Sequence, residues 1–204
     1  SDAKTINSMN PDDPFEVVFA SQLNVTIDIT DNTANMPNLV TLNDRKYFAK
    51  FYLGADLEWT GWVLSDNVQV TFSTGRKQLF FNCVDGIGML KDIALPISNR
   101  TEINTANTTL YFIRTALNSL NLPTTPNIIT SCNFYGNGMT DRSTSSSAEP
   151  FNQSYLPYRT FVNKDQTYIS CLDVLTNILK SFGCRLFMAG GKWWVVSINE
   201  FAKT

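Results

Sequence analysis

Histidine is absent from this 204-residue chain. That removes Ser-His-Asp and Cys-His nucleophilic machinery, a common zinc ligand, and the side chain best suited to proton transfer near pH 7. Positive charge is also in short supply, with 16 Lys and Arg against 18 Asp and Glu, a net charge of −2 and a pI near 5.1. A phosphate backbone is held by clustered Lys and Arg, so nucleic acid is not expected as a partner. No window approaches the roughly 18 continuous apolar residues of a spanning helix. The first 30 residues contain no basic segment followed by an apolar run, so neither a membrane nor an export signal is expected.

Cysteine is sparse and scattered. Cys83, Cys132, Cys171 and Cys184 show no CxxC or metal-ligand spacing and read as small buried thiols rather than a disulfide or a metal set. With histidine missing as well, no metal or organic cofactor is expected. The chain has no GxxxxGK[ST] loop, and Gly86-Ile87-Gly88 lacks the third glycine and the βαβ unit of a dinucleotide site. Glu58, Asp66, Asp85, Asp92 and Asp173 lie near aromatic or glycine residues, but paired catalytic acids need a separation of about 5–10 Å across a cleft, which spacing does not show. Asp85 and Asp173 have simpler roles as helix caps. The chain is read as non-enzymatic. Four glycosylation sequons, beginning at Asn24, Asn99, Asn107 and Asn152, are read as the chance product of a chain rich in Asn, Thr and Ser.

What the chain does contain is apolar residues, 43%, against 17% charged, enough to bury a core. Residues 1–14, polar with two prolines, read as a linker and the chain as a piece of a longer one. From Phe15 the pattern has period two: Val17 and Phe19, then Val25, Ile27 and Ile29. "KYFAKFYL", "LEWTGWVL", "VQVTFST" and "KQLFFNCV" follow as strands, separated by Gly54-Ala55-Asp56, Ser65-Asp66-Asn67 and Thr74-Gly75. "DGIGMLKDI" is expected to start a short helix capped by Asp85. Leu110, Ile113, Leu117 and Leu120 have helical spacing, which predicts a helix over about 107–121. Residues 135–150 are polar and aperiodic and read as a long exposed loop. Ser170 and Asp173 form a capping box for a helix over 170–182 with an apolar stripe of Cys171, Val174, Leu175, Ile178, Leu179 and Phe182, and Gly183 suits its C-terminal cap.

The last element is a hairpin around Gly190-Gly191, a pair that accepts positive φ at both turn positions. One of its faces carries Cys184, Leu186, Met188, Trp193 and Val195; the other carries Phe187, Trp194, Val196 and Ile198. Both are apolar, and only one is needed for packing on the preceding helix. The second face is expected to meet the chain's own barrel half or a neighbouring subunit. Candidate interface residues are therefore Trp193, Trp194, Val196 and Ile198, joined by Trp59 and Trp62, which fall on opposite faces of one strand. The expected fold class is α+β and β-rich. An antiparallel barrel- or sandwich-like domain spans 15–95, and an α+β domain spans 96–204 and ends in a helix and hairpin.

Several of these segments carry a resemblance. Gly61-Trp62-Val63, Asp85 to Ile93, Ser170 to Gly183 and Gly191 to Trp194, with the opening "DDPFEVVFASQLNVTIDI", resemble tail proteins of bacteriophages and prophages of gut anaerobes. The arrangement is similar, more remotely, to the baseplate hub family. The resemblance implies a virion structural protein, a subunit of a homo-oligomeric ring between tail tube and tip, assembled in the bacterial cytoplasm and contacting other tail proteins. The alternatives are a host-surface or glycan-binding module of the tail and, less favoured, a cell-wall hydrolase. The 135–150 loop matches no part of the pattern.

Overall fold

A computed structural model describes residues 6–8, 16–29, 43, 45–73, 76–96, 105–141 and 148–201. Two compact units divide the chain: one holds residues 1–14, 19–86 and 188–191, the other 15–18, 87–187 and 192–204. The fold is mixed α+β and strand-rich, as the periodicities predict.

The first unit is a curled antiparallel half-barrel sheet. Its strands are β1 (Ile6–Ser8), β2 (Ser21–Ile29), β3 (Phe48–Leu53), β4 (Asp56–Ser73) and β5 (Arg76–Val84), in the order β1-β2-β5-β4-β3. Leu23 pairs with Cys83, and Cys83 with Val63, so three buried apolar side chains form a row across the sheet. Part of the stretch read as a linker, residues 6–8, supplies the edge strand β1 beside β2.

The two strands expected for "LEWTGWVL" and "VQVTFST" are one 18-residue strand, β4. Ser65-Asp66-Asn67, read as a turn, lies within it. Pairing with β5 passes from Leu64↔Asn82 to Gln69↔Phe80, five steps on β4 against two on β5. The surplus residues bulge while the ladder resumes beyond them, and such a bulge bends a strand. "DGIGMLKDI" forms a 3-10 helix, Ile87–Asp92, whose buried residues Ile87 and Leu90 stand three apart, one turn of that helix.

In the second unit, α1 (Thr109–Asn118) is shorter than the 107–121 expected. Residues before it are drawn into β6 (Ala106–Thr108), paired antiparallel with β8 (Tyr155–Pro157). The Thr108 hydroxyl accepts from the Tyr111 amide and caps α1. Its buried face is Phe112, Ile113, Ala116 and Leu117. The α3 helix (Cys171–Phe182) has the anticipated ends: Ser170 Oγ accepts from Asp173 N–H at 3.1 Å, and Gly183 closes it at φ 58°. By backbone proximity α3 lies near α1 and the 3-10 helix.

A three-stranded sheet completes this unit, in the order β7 (Ile128–Ser131), β10 (Lys192–Ser197), β9 (Cys184–Ala189). β7 runs parallel to β10, with Trp193 opposite Ile128 and Val195 opposite Thr130. The 135–150 loop is exposed at Asn137, Gly138, Thr140 and Asp141, but Ala148, Glu149 and Pro150 are buried where α2 (Pro150–Gln153) begins. Thr140 and Gln153 exchange two hydrogen bonds, at 2.7 and 2.9 Å, which tie one end of the loop to α2. Residues 142–147, to which the exposed-loop reading also applied, lie outside the described residues, as do most of 1–14.

Candidate functional site

Gly190 and Gly191 both have positive φ, 56° and 62°, the backbone that a two-residue hairpin turn requires. The resulting alternation separates the hairpin into the two faces expected. Cys184, Leu186, Trp193 and Val195 are buried, and so is Met188, which with the turn belongs to the first unit. Phe187, Trp194 and Val196 are half-buried. Ile198 is half-buried too, but it begins the short helix α4 (Ile198–Phe201) instead of extending the strand. Its amide donates to the Gly183 carbonyl at 2.8 Å, which ties the end of the hairpin to the end of α3.

Backbone partners flank the hairpin on both sides. Beyond β10 lies β7, and the Trp193 amide donates to the Asn127 carbonyl at 2.8 Å. Beside β9, the Leu186 amide donates to the Val17 carbonyl at 2.7 Å, and Val18 forms a parallel bridge with Leu186. Val17, read with Phe19 as the start of the half-barrel's alternation, thus serves this sheet together with Val18. The outer face of the hairpin carries Phe187, Trp194 and Val196, with Ile198 adjoining, all half-buried.

Trp59 and Trp62 do sit on opposite sides of β4, yet both are buried, 1% and 7% exposed. Trp59 lies opposite Phe51 on β3, and its indole N–H donates to Ser21 Oγ at 2.9 Å. Trp62 stands edge-on to Phe48, with ring centroids 5.2 Å apart. On that same side Thr60 donates to Met188 Sδ at 3.8 Å, and the Gly191 amide donates to the Glu58 carbonyl at 2.9 Å. The turn of the hairpin therefore covers a side of β4 that the sequence left open. Trp59, Trp62 and Trp193, three of the six interface candidates, are core residues. Trp194, Val196 and Ile198 are half-buried, as is Phe187.

Titration behaviour follows burial. The Cys83 thiol is pushed up to about 12 by its apolar surroundings, and Cys171 is also raised by burial. All four cysteines are buried free thiols, the wrong environment for a reactive nucleophile. Among the described residues, no group of three or more His, Cys, Asp or Glu side chains could hold a metal ion. No described helix is long and apolar enough to cross a membrane. Sequence reading missed the buried polar cluster of Ser21, Trp59 and Asp85. Its members are far apart in the chain, and Asp85 had a ready local explanation as a cap.

No protein-family model matches the chain, and no curated protein matches it. Solved structures do. A tail protein from Neisseria meningitidis MC58 superposes with a TM-score of 0.50 at 13% identity, over 86% of this chain and 41% of that one. The 43 kDa tail protein of prophage MuSo2 from Shewanella oneidensis gives a TM-score of 0.44 at 13% identity, over 88% and 47%. The chain spans less than half the length of either protein. Over most of its residues, then, it carries a fold also present within a crystallised tail protein.

Proposed function

We propose that this chain is a structural, non-enzymatic subunit of a phage or prophage tail, a baseplate- or hub-like component of a ring between tail tube and tip. The observation that supports this reading most is the likeness in fold to a tail protein over 86% of the chain. A second support is the outer hairpin face. A ring subunit must bury surface against its neighbours, and aromatic and aliphatic side chains on a rigid sheet suit that task. Trp194 is the anchor of this surface, with Phe187, Val196 and Ile198 around it. In this reading the protein resides in the tail of the virion and meets copies of itself and other tail proteins after synthesis in the bacterial cytoplasm.

Mass photometry and electron microscopy of the purified chain, alone and co-expressed with the products of neighbouring genes, test the reading. Closed rings that Trp194→Ala dissolves without unfolding the subunit are expected. A chain that stays monomeric under both conditions would overturn it.

A further inference from the structure

A second feature of the second unit owes nothing to the hairpin's outer face. Where α3 ends and β10 runs into α4, a half-open cleft of about 380 Å³ is lined by Asn133, Phe134, Ser181, Phe182, Gly183, Ser197 and Asn199. The geometry points to a binding site for a neutral saccharide. The inference is independent of the tail reading.

The chemistry of the lining selects the ligand class. The described residues of the lining supply two carboxamides, two hydroxyls and two phenyl rings, and none of them is charged. Among these described side chains a phosphate, carboxylate or ammonium group would meet no counter-ion. A polyhydroxylated neutral ring, by contrast, offers donors and acceptors that amides and hydroxyls match in both senses. Ser181 Oγ donates to the Asn177 carbonyl at 2.8 Å, so its hydroxyl proton is committed and its lone pairs are left to accept from a sugar hydroxyl. Of the two remaining polar side chains on this segment, Asn199 is exposed and Ser197 half-buried.

An aromatic surface completes the site. Phe134 is 59% exposed. It is nevertheless held in place, standing edge-on to Phe182 at 5.9 Å, while Phe182 lies at 4.7 Å from the fully buried Phe151. A ring exposed to solvent yet oriented by a chain of aromatic contacts can receive the apolar C–H face of a pyranose with little further ordering. The other walls are fixed as well. Gly183 has the left-handed backbone of a helix cap, and its carbonyl accepts from Ile198. The volume lies within the usual range for small-molecule sites, about 300–1,000 Å³.

Saturation-transfer NMR and titration calorimetry on the full chain test the site. The probes are N-acetylglucosamine, chitobiose, maltose and methyl galactoside, with sialic acid, glucuronic acid and glucosamine 6-phosphate as charged comparators. At least one neutral sugar is expected to bind. Phe134→Ala and Asn199→Ala, both at exposed positions, should each weaken it about tenfold while leaving the melting temperature unchanged. The inference fails if no neutral sugar binds, if the charged sugars bind better, or if binding survives both substitutions. Ring assembly by the Trp194 test has no bearing on these outcomes, so the two readings stand or fall separately.

Discussion

Ser21 and Asp85, 64 positions apart, hold each other through both backbone and side chain. The Ser21 amide and hydroxyl both donate to Asp85 Oδ2, at 2.5 and 2.8 Å, and the Asp85 amide donates to the Ser21 carbonyl at 3.1 Å. Ser21 Oγ in turn accepts from the Trp59 indole. All three residues are buried, so each bond satisfies a group that would otherwise be desolvated without a partner. The cluster joins the start of β2 to the end of β5 and to β4. Ser21→Ala should strand the indole N–H and remove one donor from the carboxylate, lowering stability by about 1–3 kcal/mol. Urea unfolding followed by tryptophan fluorescence will measure it.

Gly61 is required by packing. A Cβ there would lie 2.2 Å from the Val84 carbonyl and 2.4 Å from the Trp59 ring, which folds over the glycine. Gly61→Ala should cost about 1–3 kcal/mol through overpacking. Gly88, whose added Cβ meets nothing within 4 Å, is the control. Thermal melts of Gly88→Ala should match those of the parent protein. Equal melting temperatures for the two variants would refute the packing argument.

The adjacent tryptophans of β10 should separate cleanly. Trp193 is 2% exposed, and its replacement by Ala should destabilise the subunit by about 3–5 kcal/mol. Trp194 is half-buried on the outer face, so Trp194→Ala should lose less stability and act mainly on assembly. Circular dichroism melts paired with sedimentation velocity distinguish the two effects.

The Cys83 thiol gives a pH signature. Its folded value of about 12 stands above the unfolded 9.0, so the folded state favours the protonated form. This group's contribution is fully present below about pH 9 and is lost as pH rises toward 12, because unfolding then releases a proton. The urea midpoint should fall across that window, and less so in Cys83→Ser or Cys83→Ala. Near neutral pH, thiol reagents should label the native protein slowly and all four cysteines after denaturation.

Local signals were enough for the elements whose causes lie within a few residues. The Ser170–Asp173 cap, the Gly183 stop, the glycine turn at 190–191 and the inward face of the hairpin are each set by φ preferences, short-range hydrogen bonds or side-chain alternation, all readable along the chain. Distant pairing was not readable. That β7 lies parallel to β10, that Val17 and Val18 flank β9, and that Ser65-Asp66-Asn67 bulges within a continuous strand depend on which segments meet in space. The tryptophans show the same division. Alternation put Trp59 and Trp62 on opposite sides of β4, but their burial was decided by what covers each side: Ser21 and Phe51 by Trp59, Phe48 by Trp62, and Met188 by the neighbouring Thr60. A side chain's facing follows from backbone geometry at its own position, whereas its solvent exposure depends on surface contributed by residues as many as 128 positions away.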